Sequence, residues 1–316
     1  MRNAILLAGA ALALIPFAGM LRTATDTPAK IVNDGHGDYV YVPAGSFHMG
    51  DNFGDGEARE RPAHIVDLDA FYIGKFEMTN KEWKAFRDDP GYDDPKLWPG
   101  GRIVPKDQNS YWTNASQHGG GTPDSDGYPL QGVNWDAATA YCNWLSAKTG
   151  KKYRLPTEAE WEKAARGTDQ RRYPWGNTID NSFANFTGGF NFGTIPGFYD
   201  GSKRNDLQTH SNASPYGAFD MAGNLMEWCQ DWYSRNYYSF SPRKNPKGPE
   251  SGSFRVVRGG SFFLDPLDLR TYARSAAWPS VLAHRMLGFR AVREPQQPQR
   301  TISKIGQLAG GPFISR

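Results

Sequence analysis

The chain has 316 residues, a formal net charge of +3 and a hydrophobic content of 39%. This composition excludes an intrinsically disordered chain and a collagen-like repeat. Basic side chains are scattered along the chain without a block of like charges, so no nucleic-acid ligand is indicated. Ten Trp, 15 Tyr and 18 Phe beside 35 Gly indicate an aromatic core wrapped by many turns rather than a leucine-rich helical bundle.

The N-terminal segment has the pattern of a targeting signal. Arg2 precedes an uncharged run over residues 4–21, whose length lies between that of a signal peptide and that of a membrane-spanning helix. We therefore expect residues 1–24 to be a cleaved signal peptide or a retained membrane anchor, and residues 25–37 to be a polar linker. Both alternatives predict an exported protein, in the periplasm or outside the cell.

The two cysteines leave two alternatives open. In an oxidising compartment Cys142 and Cys229 could form one disulfide. Alternatively, they are two buried free thiols that pack as small apolar groups. The six histidines are isolated from one another and from the cysteines, so no zinc site is predicted.

Local signals predict strands in the first part of the chain, followed by three short helices. The strands are expected over residues 39–42, near residues 47–50 and within residues 64–76. The helices are expected after the capping residues Thr79, Asn134 and Thr157, and the first and third match the capping-box spacing.

The rest of the chain is predicted to be rich in loops. Residues 88–128 are too long for an ordinary connection, which is typical of a functional or inserted loop. Residues 168–293 show short strands and turns, and residues 295–316 form a tail rich in Pro and Gln that we expect to be flexible. These boundaries leave one large domain over residues 38–294.

Two groups of oxygen-bearing residues are candidate cation ligands. Asp220 and Glu227 lie seven residues apart across a Gly-Asn turn. Such a turn can fold both carboxylates and the intervening carbonyls around a hard cation such as Ca²⁺. Capping and solvated charge are the alternative roles of these two residues. Asn185 and Asp200 form a second, weaker pair.

The segment from Arg258 to Ser261 is predicted to be a strand that enters a Gly-Gly turn. No His or acidic residue lies at a recognisable spacing from Ser261, so a serine hydrolase is disfavoured. Most arginines of the C-terminal part are expected to form salt bridges and carbonyl contacts. The alternative is a groove for an acidic or peptide substrate.

Seven segments together resemble one protein family, the formylglycine-generating enzymes or sulfatase-modifying factors, across residues 38–294. The matching blocks, in order along the chain, are residues 42–50, 129–144, 154–162, 174–177, 223–228, 258–261 and 287–290. The resemblance implies an α+β fold: a single large, loop-rich, C-type-lectin-like domain with little regular secondary structure.

The resemblance also implies two structural Ca²⁺ sites. The first falls on the side chains of Asp220 and Glu227 and the carbonyl oxygens of Gly223 and Leu225. The second falls on Asn185, Phe186, Asp200 and Ser202. Asp220 stands where some members of the family carry Asn, and its additional charge is expected to tighten the first site.

The copper centre of the family has no counterpart in this sequence. Formylglycine-generating enzymes resemble one another in two cysteines shortly after the Gly-Gly-Ser turn, which bind copper(I) and use O₂ to oxidise a substrate cysteine. Here residues 262–270 contain no cysteine, and Met226 replaces the first Trp of the family's Trp-Glu-Trp motif. Copper(I) is a soft ion that prefers thiolate ligands, so we do not expect copper.

Three functions follow from the resemblance. The first is an exported, divergent, O₂-dependent oxidoreductase similar to the cysteine-free members that act in siderophore chromophore maturation. Its protein or peptide-like substrate would lie in a groove near Ser261, Asp265, Asp268 and Arg270. The second is a non-catalytic, calcium-stabilised module that binds a protein or glycan. The third and least favoured is a true formylglycine generator, and the sequence leaves open whether the chain is an enzyme.

Overall fold

The structure, a computed structural model, describes residues 30–106, 126–280 and 284–296. The predicted targeting segment lies outside these ranges, as do the centre of the long predicted loop and most of the C-terminal tail. Within the three described ranges, no helix combines the length and the apolar character that a membrane crossing requires.

The larger of the two main sheets joins the beginning and the end of the domain. In spatial order its five strands are β1 (Ile31–Asn33), β2 (Asp38–Val42), β5 (Phe71–Gly74), β13 (Val292–Arg293) and β6 (Tyr153–Arg154). Every neighbouring pair is antiparallel. Because β13 lies between β5 and β6, the C-terminal part of the domain is held inside this sheet.

The smaller sheet contains the motifs that the sequence analysis singled out. In spatial order its four strands are β11 (Ser275–Ala277), β10 (Arg255–Arg258), β9 (Met226–Trp232) and β12 (Leu287–Gly288). Strand β12 runs parallel to β9, and the other pairs are antiparallel. Two hairpins complete the strands: β3 (Gly45–Met49) with β4 (His64–Leu68), and β7 (Lys203–Arg204) with β8 (Leu207–Gln208).

The three predicted helices are confirmed. They are α1 (Asn80–Arg87), α2 (Trp135–Thr149) and α3 (Glu158–Arg166). The capping boxes of Thr79 with Glu82 and of Thr157 with Glu160 both form, and the Asn134 side chain caps α2. As predicted, the described residues after α3 contain no further α-helix.

The core is aromatic and covers both faces of the larger sheet. On one face, Tyr39 and Tyr72 pack with α1 and α2. On the other, Val40 and Ile73 pack with α3, whose Trp161 is completely buried. The domain is therefore a sandwich of helices and loops around a central sheet, with the smaller sheet beside it.

Strand β1 lies within the range that we expected to be a linker. Ile31 pairs with Val40, and Val32 pairs with Tyr39. The linker prediction followed the polar composition of residues 25–37, but two adjacent β-branched residues favour a strand when a neighbouring strand is available. The sheet therefore begins before residue 38.

The structure shows two free thiols rather than a disulfide. Cys142 lies in α2 and Cys229 in β9, and both are fully buried. They belong to different core clusters. Burial raises the pKa of both thiols above the ordinary value for cysteine.

Neither thiol of the native protein should react with a disulfide reagent such as DTNB. The thiolate is the reactive form, and burial disfavours it. After unfolding in guanidinium chloride without reductant, we expect both cysteines to react, and the Cys142→Ala variant to show only Cys229. Absence of thiols in the unfolded wild-type protein would reveal a disulfide and contradict this structure.

Candidate functional site

The candidate site is built on the turn that follows β10. Gly259 and Gly260 have φ angles of 96° and 68°, in the left-handed region that favours glycine. A Cβ atom on Gly260 would lie 2.6 Å from Leu269 Cδ1 and 2.9 Å from the carbonyl oxygen of Asp268. The turn therefore packs directly against the short 3₁₀ segment Pro266–Leu269.

Ser261 is buried and bonded to a weak acceptor. Its hydroxyl donates to Met286 Sδ at 3.1 Å and accepts the N–H of Phe263 at 3.4 Å. Among the described residues, no histidine or carboxylate hydrogen-bonds this hydroxyl. Ser261 therefore lacks the base that a serine nucleophile needs.

The other three predicted groove residues take separate positions. The Arg270 guanidinium points to Asp55, whose carboxylate lies 3.0 Å from Nη1 and also accepts the Tyr272 hydroxyl at 2.6 Å. The carbonyl oxygen of Asp265 accepts the N–H of Asp268 at 2.9 Å. Burial raises the pKa of Asp268 above the ordinary value for aspartate. These residues are thus neighbours in the chain, but the described hydrogen bonds do not join their side chains.

Apolar packing fixes the loop segment in which the family carries its two copper-binding cysteines. Leu269 is completely buried in a small cluster with Tyr173 and Phe186, and Leu264 packs against the same cluster. Leucine side chains offer no lone pair to a metal ion, whereas copper(I) prefers soft sulfur ligands. The residues of this loop therefore do not fit a copper thiolate centre.

Two exposed apolar side chains lie in the loop and a third stacks on Tyr272 just after it, and we call the three the Phe263 face. They are Phe53, Phe263 and Leu267, which are 37%, 40% and 62% exposed. The Arg285 guanidinium lies 4.2 Å from the centre of the Phe263 ring. This face combines apolar area with a cation, a combination that suits binding of a peptide.

The turn from Asp220 to Glu227 is hydrogen-bonded to this loop. The N–H of Gly223 donates to the carbonyl of Gly259 at 2.8 Å, and the N–H of Phe262 donates to the carbonyl of Asn224 at 3.0 Å. The carboxylates at the two ends of the turn are buried. The loop and the acidic turn thus form one continuous structure.

Glu227, at the end of this turn, binds the guanidinium of Arg290. Its Oε1 lies 2.6 Å from Arg290 Nη2, and its Oε2 lies 2.7 Å from Arg290 Nε and 2.8 Å from Trp161 Nε1. Asp220 accepts the N–H of Gly197 at 2.6 Å and the side-chain amide of Asn212 at 2.8 Å.

A third carboxylate, that of Glu77, completes the cluster, and the sequence did not predict it. One of its oxygens accepts the N–H of Leu225 at 3.0 Å, and the other accepts the Asn224 side chain. Burial, together with the charges of Asp220 and Glu227, raises the pKa of Glu77 well above its ordinary value. A lone Glu between two apolar residues was the only sequence signal for it.

The cluster contains more carboxylates than cations. Three buried carboxylates face one guanidinium, that of Arg290, and burial also raises the pKa of Asp220. No described residue donates a hydrogen bond to the carbonyl oxygen of Gly223 or Leu225. No three His, Cys, Asp or Glu side chains of the described residues are placed to hold a metal ion. The calcium site at Asp220, Gly223, Leu225 and Glu227 stays a prediction, and every carboxylate oxygen of Asp220 and Glu227 already accepts a hydrogen bond.

The second predicted set of calcium ligands is hydrogen-bonded to neighbouring residues. Asp200 is 37% exposed in its side chain and pairs with Arg204 at 2.9 Å. The carbonyl of Phe186 accepts the N–H of Gly189, and the Asn185 amide donates to a carbonyl. The carbonyl of Ser202 accepts both the N–H and the hydroxyl of Thr209.

A separate network of buried ion pairs fixes β10 and the following segment against α3. Arg258 Nη2 lies 2.6 Å from Glu162 Oε2, and Arg274 Nε lies 2.6 Å from Glu158 Oε1. All four side chains are at most 2% exposed. Arg258, Arg274 and Arg290 thus form the expected salt bridges, while Arg285 stacks on an aromatic ring.

Replacing Asp231 with asparagine should flatten the pH dependence of stability. Burial and the neighbouring Glu158 carboxylate raise the pKa of Asp231 to about 8, whereas an unfolded Asp titrates near about 3.9. The folded state holds this proton more tightly, so the contribution of Asp231 to stability is fully present below about pH 3.9. It is lost progressively as pH rises from there through about 8.

The test compares unfolding by urea at several pH values in the wild-type protein and in the Asp231→Asn variant. Asparagine keeps an oxygen for the N–H of Glu158, which Asp231 accepts at 2.9 Å. The wild-type free energy of unfolding should fall relative to that of the variant by up to about 1.4 kcal/mol per pH unit. Parallel curves would show that Asp231 titrates normally.

Comparison with known proteins identifies the fold that holds this site. The sulfatase-modifying factor enzyme 1-like domain matches residues 25–295. The chain belongs to this family. The predicted family and the α+β, C-type-lectin-like fold are thereby confirmed.

Relatives match over most of this chain. The formylglycine-generating enzyme of Thermomonospora curvata is 34% identical over 291 residues, which cover 81% of this chain and 93% of the relative. Hercynine oxygenase of Mycolicibacterium smegmatis is 34% identical over 263 residues, covering 76% of this chain and 57% of the relative. The solved structure of PvdO from Pseudomonas aeruginosa is 25% identical, with a TM-score of 0.64, covering 85% of this chain and 99% of PvdO.

Proposed function

We propose that this sulfatase-modifying factor family member is an exported oxidoreductase that acts on a protein or peptide-like substrate without a paired-cysteine copper centre. The observation that carries the proposal is the loop of residues 261–270. The loop begins with the Gly-Gly-Ser turn and is hydrogen-bonded to the acidic turn. The side chains that it packs into the core, those of Leu264 and Leu269, are apolar. The turn and its hydrogen bonds are therefore present, and leucine side chains take the place of the thiolate ligands.

The names of two relatives support an oxidative reaction. One is a formylglycine-generating enzyme and the other an oxygenase. The simplest reaction of this class takes two electrons and two protons from a substrate XH₂, which becomes X, while O₂ accepts both and leaves as H₂O₂. The oxidised position would not be a cysteine bound through copper, because the loop supplies no thiolate.

The Phe263 face would bind the substrate. Phe53, Phe263 and Leu267 provide exposed apolar area, and Arg285 places a positive charge on one of these rings. Ser261 is fully buried, so its hydroxyl, which donates to Met286 Sδ, would orient the loop rather than contact the substrate.

Two parts of the proposal concern the whole protein rather than the reaction. Calcium would stabilise the acidic turn through Asp220, Glu227 and the carbonyls of Gly223 and Leu225. The apolar run of residues 4–21 would direct export or anchor the protein in the membrane, with the domain in the periplasm or outside the cell.

A non-catalytic, calcium-stabilised binding module is the second candidate. It is favoured by the exposure of the apolar side chains of Phe263 and Leu267, which suits the binding of a partner. Such a module would use the same face for a protein or glycan partner. A formylglycine generator is the weakest of the three because its thiolates are missing.

The experiment uses purified protein and a set of hexapeptides that differ at one central residue, with cysteine as one member. O₂ uptake, H₂O₂ release and peptide mass are followed with and without added copper or iron. The oxidoreductase should convert at least one peptide that lacks cysteine to a product two hydrogens lighter, with matching O₂ uptake. Absence of any mass change and O₂ uptake under every condition would reject catalysis on peptides and leave the binding module.

Variants locate the substrate on the Phe263 face. Phe263→Asp and Leu267→Asp should each raise KM for the converted peptide by about tenfold or more, since each removes an apolar contact of about 1.4 kcal/mol or more. Phe240→Asp is the matched control, because Phe240 is an apolar residue outside this face whose 63% exposure is close to the 62% of Leu267. Equal effects at all three positions would show that the face is not the binding site.

A further inference from the structure

We infer that a cavity beside α1 binds an alkylammonium group, carried by a small amine or by a lysine side chain. The cavity has a volume of about 150 Å³ and lies between the larger sheet, the first turn of α1 and the loop that contains Pro196. A cavity of this size holds about six heavy atoms. The inference concerns a position outside the Phe263 face and does not depend on the proposed oxidation.

Much of the cavity wall is apolar. The buried side chains of Tyr39, Met78 and Ala291 line it, together with the half-buried Phe76. The exposed Gly127 lines it as well, so the cavity reaches the surface. A short alkyl chain that enters the cavity would therefore exchange water for apolar contacts.

The carboxylate of Glu82 supplies the charged acceptor. Its Oε2 accepts the N–H of Thr79 at 2.8 Å and the Thr79 hydroxyl at 2.6 Å, whereas its Oε1 accepts no hydrogen bond from any described residue. Oε1 points toward Gly37 on the cavity wall, where an added Cβ atom would lie 2.7 Å from it. Burial raises the pKa of the Glu82 carboxyl group, and no ion pair with Glu82 forms within the described ranges. An enclosed carboxylate oxygen without a donor is a position that a cation would stabilise.

The other carboxylates of the cavity are already engaged. Asp38 accepts the side-chain amide of Asn33 at 2.7 Å and lies 3.9 Å from Lys75 Nζ. Both oxygens of Glu77 accept hydrogen bonds. These two groups add negative charge to the cavity, but only Glu82 offers an oxygen that is free to bind a ligand.

A single free oxygen favours an ammonium over other cations. Zn²⁺ and Ca²⁺ need four or more ligands, and in the part of the chain that the structure describes no three His, Cys, Asp or Glu side chains are placed to hold a metal ion. A guanidinium binds a carboxylate best through both oxygens, but Thr79 occupies Oε2 of Glu82. An ammonium is a compact charge that pairs well with one oxygen.

The test measures the binding of n-butylammonium to the purified protein by calorimetry. Butanol is the neutral control of the same size, and butylguanidinium is the competing cation. We expect n-butylammonium to bind about tenfold or more tightly than either, because one charged hydrogen bond separates it from butanol. Each methylene removed from the amine should weaken binding about fourfold. If n-butylammonium binds no more tightly than butanol, the inference is wrong.

A lysine capped at its α-amine and its carboxyl group distinguishes the two sources of the ammonium. Tighter binding of the capped lysine than of n-butylammonium would identify a protein side chain as the ligand. Weaker binding would identify a free amine, because the backbone of the capped lysine would then not fit at the mouth of the cavity.

Variants locate the ammonium at Glu82. Glu82→Gln should weaken the binding of n-butylammonium about tenfold or more, since it removes the charge and keeps the size of the side chain. Gly37→Ala should weaken it as much, because the new Cβ atom fills the space beside Oε1. Gly35→Ala is the matched control: its φ of 84°, against 95° for Gly37, is also left-handed, but an added Cβ meets nothing within 4 Å.

The control should bind n-butylammonium like the wild-type protein. Unchanged binding by Glu82→Gln, or equal binding by Gly37→Ala and Gly35→Ala, would overturn the inference. The amine series on the wild-type protein decides the inference even if a variant does not fold. None of these measurements involves O₂ uptake, so they stand or fall separately from the oxidoreductase proposal.

Discussion

Replacing Arg290 with methionine should lower the free energy of unfolding by about 3–5 kcal/mol. The guanidinium of Arg290 makes both of its short contacts to the fully buried Glu227 and also donates to the carbonyls of Gly74 and Phe219. Methionine fills much of the space but leaves three buried carboxylates without a cation. The expected loss is large because an unpaired buried charge is far more costly than a missing surface pair.

The measurement is urea unfolding of both proteins in the presence of a chelator, so that calcium does not mask the effect. Arg243→Met is the matched control, because Arg243 also pairs with a carboxylate, that of Asp67, but at the surface. Solvent screens such a pair, and the control should unfold like the wild-type protein. An Arg290→Met variant as stable as the control would show that the acidic cluster is not held by this guanidinium.

Replacing Gly260 with alanine should lower the free energy of unfolding by about 2–5 kcal/mol and should loosen the loop of residues 261–270. An L-residue with a left-handed backbone costs about 1–2 kcal/mol. The new Cβ atom would also overlap the side chain of Leu269 and the backbone oxygen of Asp268, and overpacking of this kind adds about 1–3 kcal/mol.

Gly150→Ala separates these two costs. Gly150 ends α2 with nearly the same φ, 67° against 68° for Gly260, but has no heavy atom within 4 Å of an added Cβ. The Gly150→Ala variant should lose only the cost of the left-handed backbone, about 1–2 kcal/mol of the free energy of unfolding. Unfolding and hydrogen exchange of both variants test this, with faster exchange of the loop amides expected for Gly260→Ala only. Equal losses would mean that the loop yields freely and is not held by the turn.

The helices could be predicted because their signals are local. Thr79 with Glu82, and Thr157 with Glu160, lie three residues apart, and the capping geometry they form depends on little else. The short strand β1 was not predicted, because its pairing depends on β2 rather than on its own polar surroundings.

The candidate site could be predicted only where its residues are neighbours in the chain. Asp220 and Glu227 share one turn and were found together. Glu77 reaches the same cluster from 148 residues away, counted to Leu225, and nothing near it in the sequence indicates that contact. The link between Asp55 and Arg270 spans 215 residues and was missed for the same reason.

The measurement that tests the central claim most directly is copper(I) binding together with O₂ uptake on a cysteine-containing peptide. The formylglycine-generating enzyme of Thermomonospora curvata, 34% identical to this chain, is the positive control. Both proteins are loaded anaerobically in the presence of a competing copper chelator and then exposed to O₂ and peptide. Because residues 262–270 supply no thiolate, the protein described here should retain no stoichiometric copper and leave the cysteine unchanged. One copper ion per chain with cysteine-dependent O₂ uptake would contradict the claim that the loop has lost the family's copper chemistry.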